Sequence, residues 1–323
     1  MRSLARLPVL YFMALCAAHA SAQGTSTYPV KPIRLILLQP PGGAADILGR
    51  LVGQKLNERL GQPVVVETRP GGGGYVGSEY VVKSAPDGYT IMIGGLGLAI
   101  NQTLYEKPSF SLATDLTAIS QITTYPSMIV VHPSLPVRSM NELIALARSR
   151  PGALNFGANL GSPNHLAMEL VNVMAKVKMV HIGYKGTGPV ITDLLGGHLH
   201  CASLGFPGAT PHVTSGRLRA IAVTSAKRSA LLPDLPTIAE TSLPGYHLTS
   251  WWGVFGPARM PPQVVTRLNT EIRGFMDTDD VKTRLSALGA EIETTTPEEF
   301  SRIVRTEIVR WAPIVKASGA RAN

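Results

Sequence analysis

An apolar strand, a glycine-rich loop and an amphipathic helix follow one another twice early in the chain, and this order constrains the fold more than any other feature. Residues 33–38 read as a buried strand. Pro40-Pro41-Gly42-Gly43 follows, and Ile47, Leu48, Leu51, Val52 and Leu56 then recur as one face of a helix. The second round runs through a strand at 64–66, a loop at 70–74 and a helix to about Lys83. Past the turn Pro86-Asp87-Gly88 comes a strand at 89–93. Such alternation predicts an α/β protein with a parallel sheet and helices on both faces.

A second series follows. Residues 118–131 are β-prone with a break expected at Pro126. Ser139 and Glu142 form a capping box for a helix to Ser149. A short strand at 155–157, a loop at 158–164 and a helix to about Ala175 come next. Strands are expected at 179–182, 198–204 and 218–224, with a helix at 189–195 between the first two. Residues 225–246 show no period, and 248–255 read as a returning strand. The rest is helical: 262–276, 281–288, and a last helix in which Thr296 caps, Pro297 fills the first turn and Glu299 completes the box. These helices are expected to pack back on the first lobe. The chain then crosses between lobes twice, near Tyr125 and near Ser250, which makes a hinge. The expected organisation is a signal peptide over 1–22, one lobe from 23–125 with 251–323, and a second lobe over 126–250.

The signal peptide rests on Arg2 and Arg6 before an apolar run at 7–18, with Ala20-Ser21-Ala22 as the cleavage site. The run is shorter than the ~20 residues a membrane-spanning helix needs. Cleavage after Ala22 is expected to release a soluble periplasmic chain starting at Gln23. Cys16 suggests a lipid anchor, but Leu15 stands where a small residue belongs. Removing Arg2 and Arg6 leaves 28 basic against 21 acidic residues, or +7. That excess suits solubility or attraction of an anion. No run of five Lys/Arg occurs, and basic residues are not interleaved with aromatics, which excludes nucleic acid as a partner. Cys201 is the other cysteine, so the mature chain has no intrachain disulfide and stands on its core.

Two loops invite a ligand. Pro40 to Asp46 leaves the carboxyl end of the first strand and opens a helix, where backbone N–H groups and the helix dipole favour an anion. Small residues at Gly43, Ala44 and Ala45 let a ligand approach the backbone, whereas Asp46 would repel an anion and more naturally orients the loop. Gly161-Ser162-Pro163-Asn164-His165 has the same placement, although capping alone also explains Ser162 or Asn164. Gly72-Gly73-Gly74-Tyr75-Val76-Gly77 matches a dinucleotide pattern, but Gly94-Gly95 stands where the confirming acid belongs. His198, His200 and Cys201 are metal-ligand types; in a strand the two histidines face one way and the cysteine the other. No cofactor or metal is expected. An exported hydrolase using Ser162 and His165 is the alternative, without an evident acid partner.

Assembled, these motifs resemble the extracytoplasmic solute receptors of tripartite tricarboxylate transporters, the Bug or TctC-type family. The resemblance runs from Tyr28-Pro29-Val30-Lys31-Pro32 through Pro40-Pro41-Gly42-Gly43-Ala44-Ala45-Asp46, Gly161-Ser162-Pro163-Asn164-His165 and Tyr184-Lys185-Gly186 to Ser250-Trp251-Trp252-Gly253 and Leu288-Gly289-Ala290. It implies a type II-like periplasmic binding protein, with two α/β lobes joined by a two-strand hinge and a cleft between them. It further implies a monomer that is not an enzyme, captures a small carboxylate and delivers it to a membrane permease. The candidate ligand residues are Gln39, Gly43, Ala44, Ala45, Asp46, Gly95, Ser162, Asn164, His165, Phe206 and Trp251. Gln39 replaces the family's usual aromatic residue. The segment Ser203-Leu204-Gly205-Phe206-Pro207 lacks the acid usual there, which disfavours an amino acid and favours a carboxylate with an apolar body against Phe206.

Overall fold

The computed structural model describes residues 28–41 and 44–322. The expected signal peptide, its cleavage site, Cys16, Gly42 and Gly43 lie outside the described residues.

Strand β1 (Ile33–Leu37) lies between β2 (Val64–Thr68) and β3 (Thr90–Gly95), parallel to both. All but one of its residues are buried, because helices cover both faces. Helix α1 (Ala44–Leu60) buries Leu48, Leu51, Val52 and Leu56. Ile47 departs from the expected face and is 46% exposed, since it falls just outside the stripe those four define. Helix α2 (Tyr75–Val82) follows a 3₁₀ turn, and α3 (Leu96–Leu104) follows β3 directly.

Strand β4 (Leu116–Val131) is the axis of the molecule. Beyond it run α4 (Met140–Ser149), β5 (Asn155–Ala158), α5 (Pro163–Ala175), β6 (Val180–Gly183), α6 (Thr187–Leu195) and β7 (Cys201–Gly205). Then come α7 (Phe206–Thr214), β8 (Arg219–Val223), α8 (Ile238–Thr241) and β9 (Thr249–Pro257). The chain closes with α9 (Pro262–Met276), α10 (Asp279–Ala287), β10 (Glu291–Ile292) and α11 (Pro297–Ser318). The described strands form one curled sheet in the order β2-β1-β3-β9-β4-β7-β5-β6, with β8 and β10 also on β4.

The expected break at Pro126 does not occur. Antiparallel pairing of β4 with β9 runs from Leu116↔Pro257 to Pro126↔Thr249, and pairing with β7 begins at Ser127↔Gly205. Pro126 lacks an N–H to pair, and it sits where β4 exchanges one set of partners for another. Ser127 N donates instead to Thr224 Oγ1 at 2.9 Å.

Each face of the sheet packs differently. On one face a single core runs from Ile36, Leu98 and Ile100 through Trp251, Phe300 and Trp311 to Ile129, Leu166 and Leu170. On the other, the core is split into one cluster around Leu35, Leu48, Ile91, Trp252 and Leu268 and another around Met128, Val190, Leu204 and Phe206. Helix α11 lies against α3, β4 and α5, so it spans both halves and does not pack on the first lobe alone as expected. Its capping box is present, Thr296 Oγ1 accepting from Glu299 N and Glu299 Oε2 from Thr296 N. The Ser139 box is half made, because the Glu142 carboxylate accepts from Arg138 N. Helices α7 and α8 were not expected; α8 carries a complete Thr237–Glu240 box inside the stretch without period.

Candidate functional site

The carboxyl ends of β3 and β7 reach the crossing strands from opposite sides. Gly95 pairs with Trp252 on β9, beside Trp251↔Thr124, while Gly205 pairs with Ser127 only three residues further along β4. Loops leaving these ends therefore face one seam, the usual ligand position in open α/β sheets.

The loop before α5 is firmly built. Gly161 has φ +72°, and a Cβ there would strike Leu104 and lie 3.2 Å from Asn101 Oδ1, so the loop seats directly on α3. Ser162 Oγ accepts from His165 N at 3.2 Å and caps the helix, with Pro163 in its first turn. Asn164 Oδ1 accepts from Ser127 Oγ at 2.9 Å and from Ser203 Oγ at 3.4 Å. Both serines are buried, and together they orient the amide so that its Nδ2 protons remain available to a ligand. The sequence reading missed this function of Ser127 and Ser203. For Ser203 the signal was a single hydroxyl in the otherwise apolar β7, whereas Ser127 was one of several polar residues along β4.

At the start of α1, Ala45 and Asp46 are buried and Gln39 is exposed. Arg50 Nε donates to both oxygens of Asp46, at 3.0 and 3.1 Å, so this carboxylate is charge-paired one turn along its own helix. A Cβ on Gly95 would lie 2.8 Å from both the Trp251 carbonyl oxygen and Trp252 Cε3; only glycine lets β3 and β9 approach there. Trp251 is 3% exposed and meets Phe300 edge-on at 5.4 Å. Its Nε1 and Thr123 Oγ1 have no hydrogen-bond partner among the described residues. Trp252 points to the opposite face and stacks on Tyr125 at 6.4 Å. Phe206 is buried at the start of α7 and lies against Gly289.

His165 is buried as well. Its Nδ1 accepts from Gly161 N at 3.3 Å, its Nε2 stands 3.7 Å from Glu169 Oε1, and its ring centroid is 4.0 Å from that of His181. The imidazole thus turns toward Glu169, and Ser162 meets only the backbone N of His165. A nucleophile activated by His165 would need its hydroxyl on a ring nitrogen. Burial and the neighbouring His165 hold the His181 pKa below the ordinary histidine value.

The remaining motifs have structural explanations. Gly71 to Gly74 all take positive φ, and Asn101 Nδ2 donates to Gly73 O at 3.0 Å. His198 and His200 precede β7 rather than lying in it, and His200 Nδ1 accepts from Asn155 N at 2.9 Å. Among the described residues no group of three or more His, Cys, Asp or Glu is arranged to hold a metal ion, and no helix is long and apolar enough to cross a membrane.

Two lobes on a shared curled sheet, with loop–helix starts facing one seam, are the architecture of solute-binding receptors. The model of the tripartite tricarboxylate transporter family receptor, TctC, matches residues 48–320, and the chain belongs to that family. Protein BugT of Bordetella pertussis is 36% identical over 318 residues, 98% of each chain. R. palustris Rpa4515, solved with adipate, is 37% identical with a TM-score of 0.82, covering 91% of this chain and 99% of its own. MatC (Rpa3494) from Rhodopseudomonas palustris, solved with bound malate, is 29% identical with a TM-score of 0.79, covering 89% of this chain and 100% of its own.

Proposed function

We propose that this protein is an exported receptor that captures a small carboxylate between its lobes and delivers it to the membrane permease of a tripartite tricarboxylate-type transporter. The lobes divide at 125/126 and 250/251, one residue before β4 exchanges partners and just inside the start of β9. The observation that carries the reading is Asn164: two buried hydroxyls hold its oxygen, so a neutral amide donor is presented at the N-terminus of α5. The Ala44 and Ala45 backbone would supply the opposing donors, with Gly95 and Trp251 at the seam. The relatives solved with adipate and with malate support a carboxylate. Lys185 is exposed and is a lesser contributor than the neutral donors.

A thermal-shift screen of mono- and dicarboxylates tests the proposal. Ligand at about 100 times its dissociation constant adds ~2.7 kcal/mol, a rise of roughly 5 °C for a chain of this size. No shift across the carboxylate panel, with a shift for zinc or a dinucleotide, would overturn it. Mass spectrometry of exported protein should find Gln23 at the N-terminus. Loss of binding in Lys185→Ala with full binding in Asn164→Ala would replace the neutral clamp by an ion pair.

A further inference from the structure

Ser127 falls in a gap between two partners of β4. Pairing with β9 ends at Pro126↔Thr249 and pairing with β8 begins at Met128↔Val223, so neither strand pairs with Ser127 itself. Thr224, the residue after β8, fills the gap. Its Oγ1 accepts from Ser127 N at 2.9 Å and donates to Ser127 O at 3.1 Å, and its backbone N donates to the same carbonyl at 2.9 Å. Thr224 O in turn accepts at 2.8 Å from the N of Leu248, which immediately precedes β9. Both Thr224 and Leu248 are fully buried. One threonine thus ties the end of β8 to β4 and to the approach of β9, beside the proposed division of the lobes.

The residue held in this way is the one that holds the amide, since Ser127 Oγ donates to Asn164 Oδ1 at 2.9 Å. We infer that Thr224 is a positioning residue for ligand capture: its hydroxyl fixes the backbone at Ser127, Ser127 fixes the Asn164 oxygen, and the amide protons meet the acid. This rests on the proposed function. Packing alone does not call for the hydroxyl, because valine would fill nearly the same space. Valine would leave the buried Ser127 N–H without its partner, and the backbone would have to shift to satisfy it.

Calorimetric titration of the exported protein with adipate, malate and the other acids of the carboxylate screen tests it, together with the side-chain amide NMR signals of the isotope-labelled protein. Thr224→Val should weaken binding about 3- to 10-fold, short of the loss on removing Asn164. Thr224→Ser keeps the hydroxyl and should restore binding to within about twofold of wild type. In an Asn164→Ala background Thr224→Val should cost nothing further, because residues acting through one another are not additive. The Asn164 amide signal should move in Thr224→Val and return in Thr224→Ser. Those of Asn172, bonded to Met179, and Asn269, bonded to Ile119 and Thr295, should stay in place. Thr224→Ala carries the same comparisons if Thr224→Val does not fold. Unchanged affinity in Thr224→Val, equal losses in the two backgrounds, or a stationary Asn164 signal would overturn the inference and leave the proposed function standing. Binding of no carboxylate by wild type would overturn the proposed function, and the Asn164 signal would then decide the positioning by itself.

Discussion

At the scale of single residues, Asn164 decides the most. Removing a hydrogen bond to a charged ligand costs ~1.5 to 3 kcal/mol, so Asn164→Ala should weaken carboxylate binding about 10- to 150-fold. Ser127→Ala should weaken it less, since Ser203 still holds the amide oxygen; titration of the two variants side by side checks the order, and a larger loss in Ser127→Ala would contradict it. His181 makes a separate prediction. Its folded pKa lies below the ordinary value, so under acid the unfolded chain takes up a proton that the folded chain refuses. The stability this confers is present above about pH 6.5 and is lost as pH falls toward the folded value. His247, whose pKa is lowered by burial and Arg310, acts in the same direction. Melting curves across this range should show wild type losing stability as His181→Gln loses less, and parallel losses would refute the assignment. The cap at Ser162 was legible because it is local, three residues from its partner. The partners of Asn164 were not legible, because they lie 37 and 39 residues away on different strands.

Elements were read best where their signals are local. The Thr296 box, the α5 start and the alternation of β1 with α1 all follow from short-range patterns. The failures share a cause as well. Pro126 reads as a break until the partner exchange is known, and α7 was not expected although Pro207 in a first turn suits a helix. Helix α8 was missed although its Thr237–Glu240 box is a local signal; at four residues it is too short to show periodicity. Close strand contact is tested at Gly253 on β9, whose added Cβ would collide with Phe300 and lie 2.9 Å from the Ser120 carbonyl oxygen. Gly253→Ala should therefore cost about 1–3 kcal/mol by overpacking. A shifted denaturation midpoint with unchanged slope would report it, and an unmoved midpoint would mean that Phe300 yields freely.

For the whole molecule, alternation established an α/β chain crossing twice, but not the strand order or the path of α11. Both are set by pairings between residues far apart in sequence, such as Leu116 with Pro257. The asymmetric core follows from that path, and it predicts hinging about the joined face with the split face opening. Cys201 reports a larger opening than that. Its thiol begins β7, is fully buried, and burial pushes its pKa up to about 12. A thiol-specific reagent can reach it only when β7 leaves its neighbours, so the labelling rate of Cys201 counts excursions out of the folded state. Hinge motion alone should leave that rate unchanged. A bound acid should slow it by the same factor by which it stabilises the fold, and faster labelling with ligand would mean that the acid prefers an opened chain. The one thiol among the described residues thereby becomes an internal counter of how often the sheet comes apart, without any label having to be engineered.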